Sequence, residues 1–204
     1  MCADCTTKMG QLYENRAAPI AKPLMADLAA HLSPRAQADL GRWAIKTTLL
    51  FAIADNVKNG RRHFEPLRRT LLRMVSEDVP PDGGSVRIGR FPAGRDAPEG
   101  ETAQLVKLLP GGAPRGIQVF AVATLAHLAF EVVIGDPRHI RGFVAGTKNC
   151  DRLIRVWPPN AKGVDYPPIE AFSRADVLAL RNAYYAAIPH LVFVRKAAGR
   201  DFLI

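Results

Sequence analysis

Cys2-Ala3-Asp4-Cys5 places two thiols three positions apart, close enough for one tight turn to offer two thiolates to adjacent corners of a tetrahedral zinc ion. One pair is half of such a set. Three readings stay open: zinc ligation, thiol–disulfide redox chemistry, and unreactive terminal thiols. The redox motif usually occupies a strand-to-helix turn inside a sheet domain, whereas this pair runs straight into a helical pattern. Cys150 and His139, in a turn-rich segment, are the internal candidates to complete a zinc set, although a single Cys also reads as a small buried residue. His31, His63, His127 and His190 are scattered, and none falls into a recognisable nucleophile–base–acid arrangement. His127, in an apolar run, reads most simply as a satisfied core or edge histidine.

The second kind of chemistry is electrostatic. Between Lys58 and Arg73 there are six basic residues and one acid, Glu65. If this segment faces nucleic acid, Arg61, Arg62, Arg68, Arg69 and Arg73 are expected on phosphates rather than bases, because no base-reading motif is present. Arg42 and Lys46 lie four apart, so they share one flank of a helix and are expected to project together toward solvent or a phosphate backbone. The chain carries 28 Lys and Arg against 19 Asp and Glu, a formal net charge of +9, which suits a polyanionic partner.

The elements that must position these groups follow from periodicity and turn chemistry. Lys8 to Ala30 is helical but interrupted by Pro19 and Pro23, predicting two short helices. Ser33-Pro34 is a cap followed by proline at the first helical position. It starts a helix whose Leu40, Trp43, Ala44, Thr47, Phe51 and Ala54 predict one buried face. Asn59-Gly60 ends it, and a further helical segment follows Pro66. Beyond Val79 the composition shifts to Pro, Gly and short strands: 85–91, 103–109, 117–124, 128–134 and 152–157, with 117–124 and 128–134 forming the sheet's centre. Pro80-Pro81-Asp82-Gly83-Gly84 reads as a turn. Ser173 caps a last helix to about Ala187, and 190–194 suggests one more strand.

Helices first and strands afterwards, with one closing helix, predict an α+β fold with a mostly antiparallel sheet. With 204 residues, 48% of them hydrophobic, the expectation is one domain over 1–204, with a helical part over 1–78 and a sheet part over 79–204. The longest apolar stretch, Ile117 to Ile134, is broken by Gln118, Thr124, His127 and Glu131 and predicts no membrane span. An odd cysteine count without a basic-then-apolar leader points to a reducing cytoplasm.

Cys2-x-x-Cys5, Met9, Leu12-Tyr13-Glu14, Arg16, Pro19, Pro23-Leu24, Trp43-Ala44-Ile45-Lys46-Thr47, Trp157-Pro158-Pro159 and Tyr166-Pro167-Pro168 together resemble the C-terminal portion of bacterial and phage HNH endonuclease-like proteins. The resemblance spans nearly the whole chain. It implies that Cys2 and Cys5 correspond to the second of two thiol pairs around a zinc ion. It also implies that the first pair and the metal-binding catalytic histidine would lie before residue 1. Thr6 stands where that family has asparagine, and Lys8-Met9 where it has its tryptophan region. In an HNH site histidine is the general base on water and a divalent metal stabilises the leaving oxygen, and neither role has a candidate in this chain. The implied function is a nucleic-acid-binding domain, with DNA as partner, lacking a complete catalytic centre. A protein-interaction or structural module and the tail of an active metal-dependent nuclease are the alternatives.

Overall fold

The structure, a computed structural model, describes residues 7–58, 65–92, 104–107, 117–135, 152–187, 192–197 and 200–203. The chain is helical from residue 7, through a wide π turn over Gly10–Glu14 and into α1 (Asn15–Met25) without a break. The two short helices predicted from the prolines are therefore one run. Pro19 and Pro23 both lie inside α1. Each removes one backbone donor, but Ala17, Ala21 and Leu24 are buried, and that packing holds the helix together across the missing bonds.

A short strand, β1 (Ala30–Leu32), leads to α2 (Pro34–Lys58), the longest element. Ser33 caps it as its sequence predicts, its hydroxyl accepting from the Ala36 amide at 3.2 Å. Gln37 and Leu40 begin a buried surface that continues through Ala44, Ile45, Thr48, Leu49 and Ala52. Phe51 is 52% exposed and Ala54 exposed, so the predicted stripe is rotated around the helix. The reason is that α2 packs on several sides at once, against α1, α3 (Glu65–Glu77) and the sheet, which no single periodic face describes.

The sheet has seven strands in the order β6-β2-β5-β4-β3-β8-β9, with every described pairing antiparallel. These are β2 (Gly84–Arg90), β3 (Gln104–Lys107), β4 (Ile117–Leu125), β5 (Leu128–Gly135), β6 (Ile154–Trp157), β8 (Val192–Ala197) and β9 (Arg200–Leu203). A two-residue turn at Ala126 and His127 joins β4 to β5 at the sheet's centre, Ala126 taking a left-handed φ of 50°. Val86, Ile88, Phe130 and Val132 face the helices and share one core with Leu40, Ala44, Ile45 and Leu49. On the opposite face of the same strands Arg87 lies across from Glu131, and both are buried as an ion pair, with Nη2 donating to Oε1 at 2.6 Å. The polar side of β2 is thus covered as well, with Ser85 buried beside Arg87 on that face. Outside this sheet, β1 pairs with β7 (Val164–Tyr166) as a two-stranded ribbon. The last described helix is α4 (Arg174–Ala187). Helices ahead of an antiparallel sheet make this an α+β fold. No helix among the described residues is long and apolar enough to cross a membrane.

Two tryptophans fasten α2 to the sheet. Trp43 meets Phe130 edge to face at 5.8 Å between ring centres. Trp157 lies on Gly41, where a methyl group would come within 2.8 Å of the Trp157 Cβ; glycine at this position is what lets helix and strand approach.

Candidate nucleic-acid interface

α3 supplies the exposed basic surface. Leu67, Leu71, Met74 and Val75 anchor one side of it in the core. The spacing of the remaining residues turns Arg68, Arg69 and Arg73 outward, with side chains 53%, 77% and 71% exposed. None of the three is a bare cation. Glu65 sits 3.3 Å from Arg68 and 3.5 Å from Arg69, and Glu77 accepts from Arg73 Nε at 3.0 Å. The hydrogen bond and charge of Glu77 raise the pKa of Arg73 above its ordinary value. Exposed pairs of this kind on one helix are weak and screened by salt, so a phosphate can exchange for the carboxylate. Arg61 and Arg62 lie outside the described residues.

Arg42 and Lys46 do not form the expected solvent-facing flank. Lys46 is 4% exposed, and its ammonium is bound by Glu14. Trp43 donates Nε1–H to the other oxygen of the same carboxylate at 2.8 Å. The π turn ends on Glu14 and presents it to α2, so residues of two of the sequence's more distinctive stretches meet in one contact. Arg42 is one-quarter exposed, 3.7 Å from Asp39, and its Nε is buried without a protein partner. It lies in the field of Tyr13, whose hydroxyl donates to the Met74 carbonyl at 2.9 Å. Burial, with the nearby Asp78 carboxylate, pushes the Tyr13 phenol up to about 12. A helix wrapped on several sides has no flank left for phosphate at these positions.

Cys2, Cys5, His139 and Cys150 fall outside the described residues. Among the described residues no three His, Cys, Asp or Glu converge as a metal site. His127 occupies the β4–β5 turn, its Nδ1 3.2 Å from the Phe91 carbonyl, as a satisfied edge histidine would. His31 on β1 meets Asp165 on β7 at 2.7 Å, with both side chains mostly exposed.

One feature has no sequence signature. A cavity of about 240 Å³ lies between α3 and the segment 79–83, beside Arg73 and Asp82. The run Pro80-Pro81-Asp82-Gly83-Gly84 announces a turn, but not that α3 stands opposite it. No family model matches the chain, and neither a curated protein nor a solved structure matches it.

Proposed function

We propose that this chain is an HNH-endonuclease-related domain that binds nucleic acid, with DNA as the partner, through phosphate contacts and without a complete catalytic centre of its own. The observation that supports the reading is α3: three arginines stand outward on a helix anchored by four core residues, in a chain of net charge +9. A fixed helix presents its charges without ordering a loop on binding. Fluorescence anisotropy with duplex DNA across a salt series is the direct test. Binding should be tightest at low salt, and replacing Arg68, Arg69 and Arg73 together with alanine should reduce the slope of log K against log salt by about 2 to 3. Absence of binding at low salt overturns the proposal. Plasmid cleavage with added divalent metal that copurifies with this protein would overturn the non-catalytic part.

A second reading, a protein-interaction module, draws on Phe51, Leu72 and Val79, each more than 40% exposed. Light scattering after size exclusion separates the two: a strict monomer that binds DNA counts against it.

A further inference from the structure

The cavity beside α3 is lined by apolar side chains together with one carboxylate and one guanidinium. Met74 and Ile134 form its inner wall, each only 1% exposed, and half-exposed Val79 adds to the apolar lining. Thr70 and Arg73 line the α3 side, and the exposed Asp82 lies opposite. The segment carrying Asp82 is held at both ends of its turn: the Gly84 amide donates to the Pro81 carbonyl and the Gly135 amide to the Gly83 carbonyl, each at 2.9 Å. Apolar side chains and a carboxylate in one lining match a planar ring that carries a hydrogen-bond donor. The space is below the usual size of a drug-like site, about 300 Å³ and up, and suits one ring system rather than a helix or a peptide.

We propose that this pocket takes an unstacked nucleobase bearing an exocyclic amine, from a strand whose phosphates run along Arg69 and Arg73. The proposal rests on the nucleic-acid reading above and adds to it: α3 would hold the backbone while the pocket reads one base. The apolar walls contact the ring faces, as in sequence-tolerant single-strand sites. Asp82 accepts from the amine, the pairing that carboxylates make with the N4 group of cytosine. Thymine lacks that amine, and an abasic site lacks the ring.

The test uses the full chain with labelled single strands of equal length, oligodeoxycytidylate, oligothymidylate and an abasic backbone, by anisotropy at one low salt concentration. Oligodeoxycytidylate should bind about tenfold more tightly than the other two. Asp82→Ala, at an exposed position, should abolish that preference; because the Asp82 carboxylate also acts through space on Arg73, its loss should tighten the binding of oligothymidylate and of the abasic backbone alike. Equal, salt-dependent binding of all three strands overturns the pocket and leaves the phosphate interface standing. A cytosine preference that survives Asp82→Ala also overturns the pocket, and no binding of any strand overturns both. If the pocket instead receives a side chain of a protein partner, the three strands bind equally and Asp82→Ala shifts all three by the same factor.

Discussion

Lys46 shows how much one carboxylate can decide. A lysine buried on a central helix is tolerable because Glu14 reaches it, and Trp43 holds that carboxylate in place. Removing Glu14 leaves the ammonium buried and unpaired. Because Glu14 itself is half exposed, the loss falls below the 3–5 kcal/mol of a fully buried pair; Glu14→Ala should destabilise by about 1–3 kcal/mol in urea unfolding. Lys46→Met keeps the stem and discards the charge, so in that background Glu14→Ala should cost under about 1 kcal/mol. Equal costs in both backgrounds would mean that Glu14 acts through Trp43 alone. Two tyrosines add a signature at alkaline pH. Burial raises both Tyr13 and Tyr166 from 10.0 to about 12, with Asp78 and Asp27 adding to it respectively. A phenol that keeps its proton longer in the folded state contributes stability that is fully present below pH 10 and is lost as pH rises toward 12. Ultraviolet titration should show two phenols ionising late, one fewer in Tyr13→Phe and one fewer in Tyr166→Phe.

At the scale of the element, what the sequence announces best is where helices start. Ser173 was legible as a cap, and the structure adds its counterpart: the Ser173 amide donates to Asp176 at 2.7 Å while the Asp176 amide donates to the Ser173 hydroxyl at 3.2 Å. Arg152 joins from β6's entry, 2.8 Å from Asp176 and 2.7 Å from Glu170. Burial disfavours the charged form of Asp176, but the Ser173 and Arg152 hydrogen bonds outweigh it and hold the carboxyl below its ordinary value. Its stabilising effect is therefore present above the ordinary value of 3.8 and disappears as pH falls through the lower folded value. Ser173→Ala should cost about 1 kcal/mol at neutral pH and less in strong acid, read from denaturant midpoints. α3 was legible for the same local reasons, since its arginines and leucines alternate at helical spacing. The Arg42–Lys46 flank was misread because spacing fixes which residues share a side, while only packing decides whether that side is covered. The β1–β7 ribbon was invisible: three residues carry no period, and the two strands are more than 130 positions apart.

The whole molecule turns on the seam between α2 and the sheet, and the physical reason is reach. Caps and apolar runs announced α2, α4 and the central hairpin, while Pro19 and Pro23 suggested a break that α1 does not have; the strand order brings β6 beside β2 and β3 between β4 and β8, which no local pattern encodes. The pocket beside α3 was hidden for the same reason, since Met74 and Ile134 meet only in the assembled fold. The chain's two tryptophans, Trp43 and Trp157, both sit in that seam, so their emission reports helix–sheet docking directly. If the helical and sheet parts are held chiefly by this contact, tryptophan fluorescence and far-ultraviolet circular dichroism should lose signal with coincident midpoints in urea. Leu49→Ala, at a fully buried position in the shared core, should lower both midpoints together by an amount equivalent to about 2–5 kcal/mol. Gly41→Val acts at the seam itself: its side chain needs the space that Trp157 fills, so emission should shift to the red in the folded state, before any denaturant is added. An unshifted spectrum with unchanged stability would show that α2 and the β6 edge do not approach as closely as the structure places them.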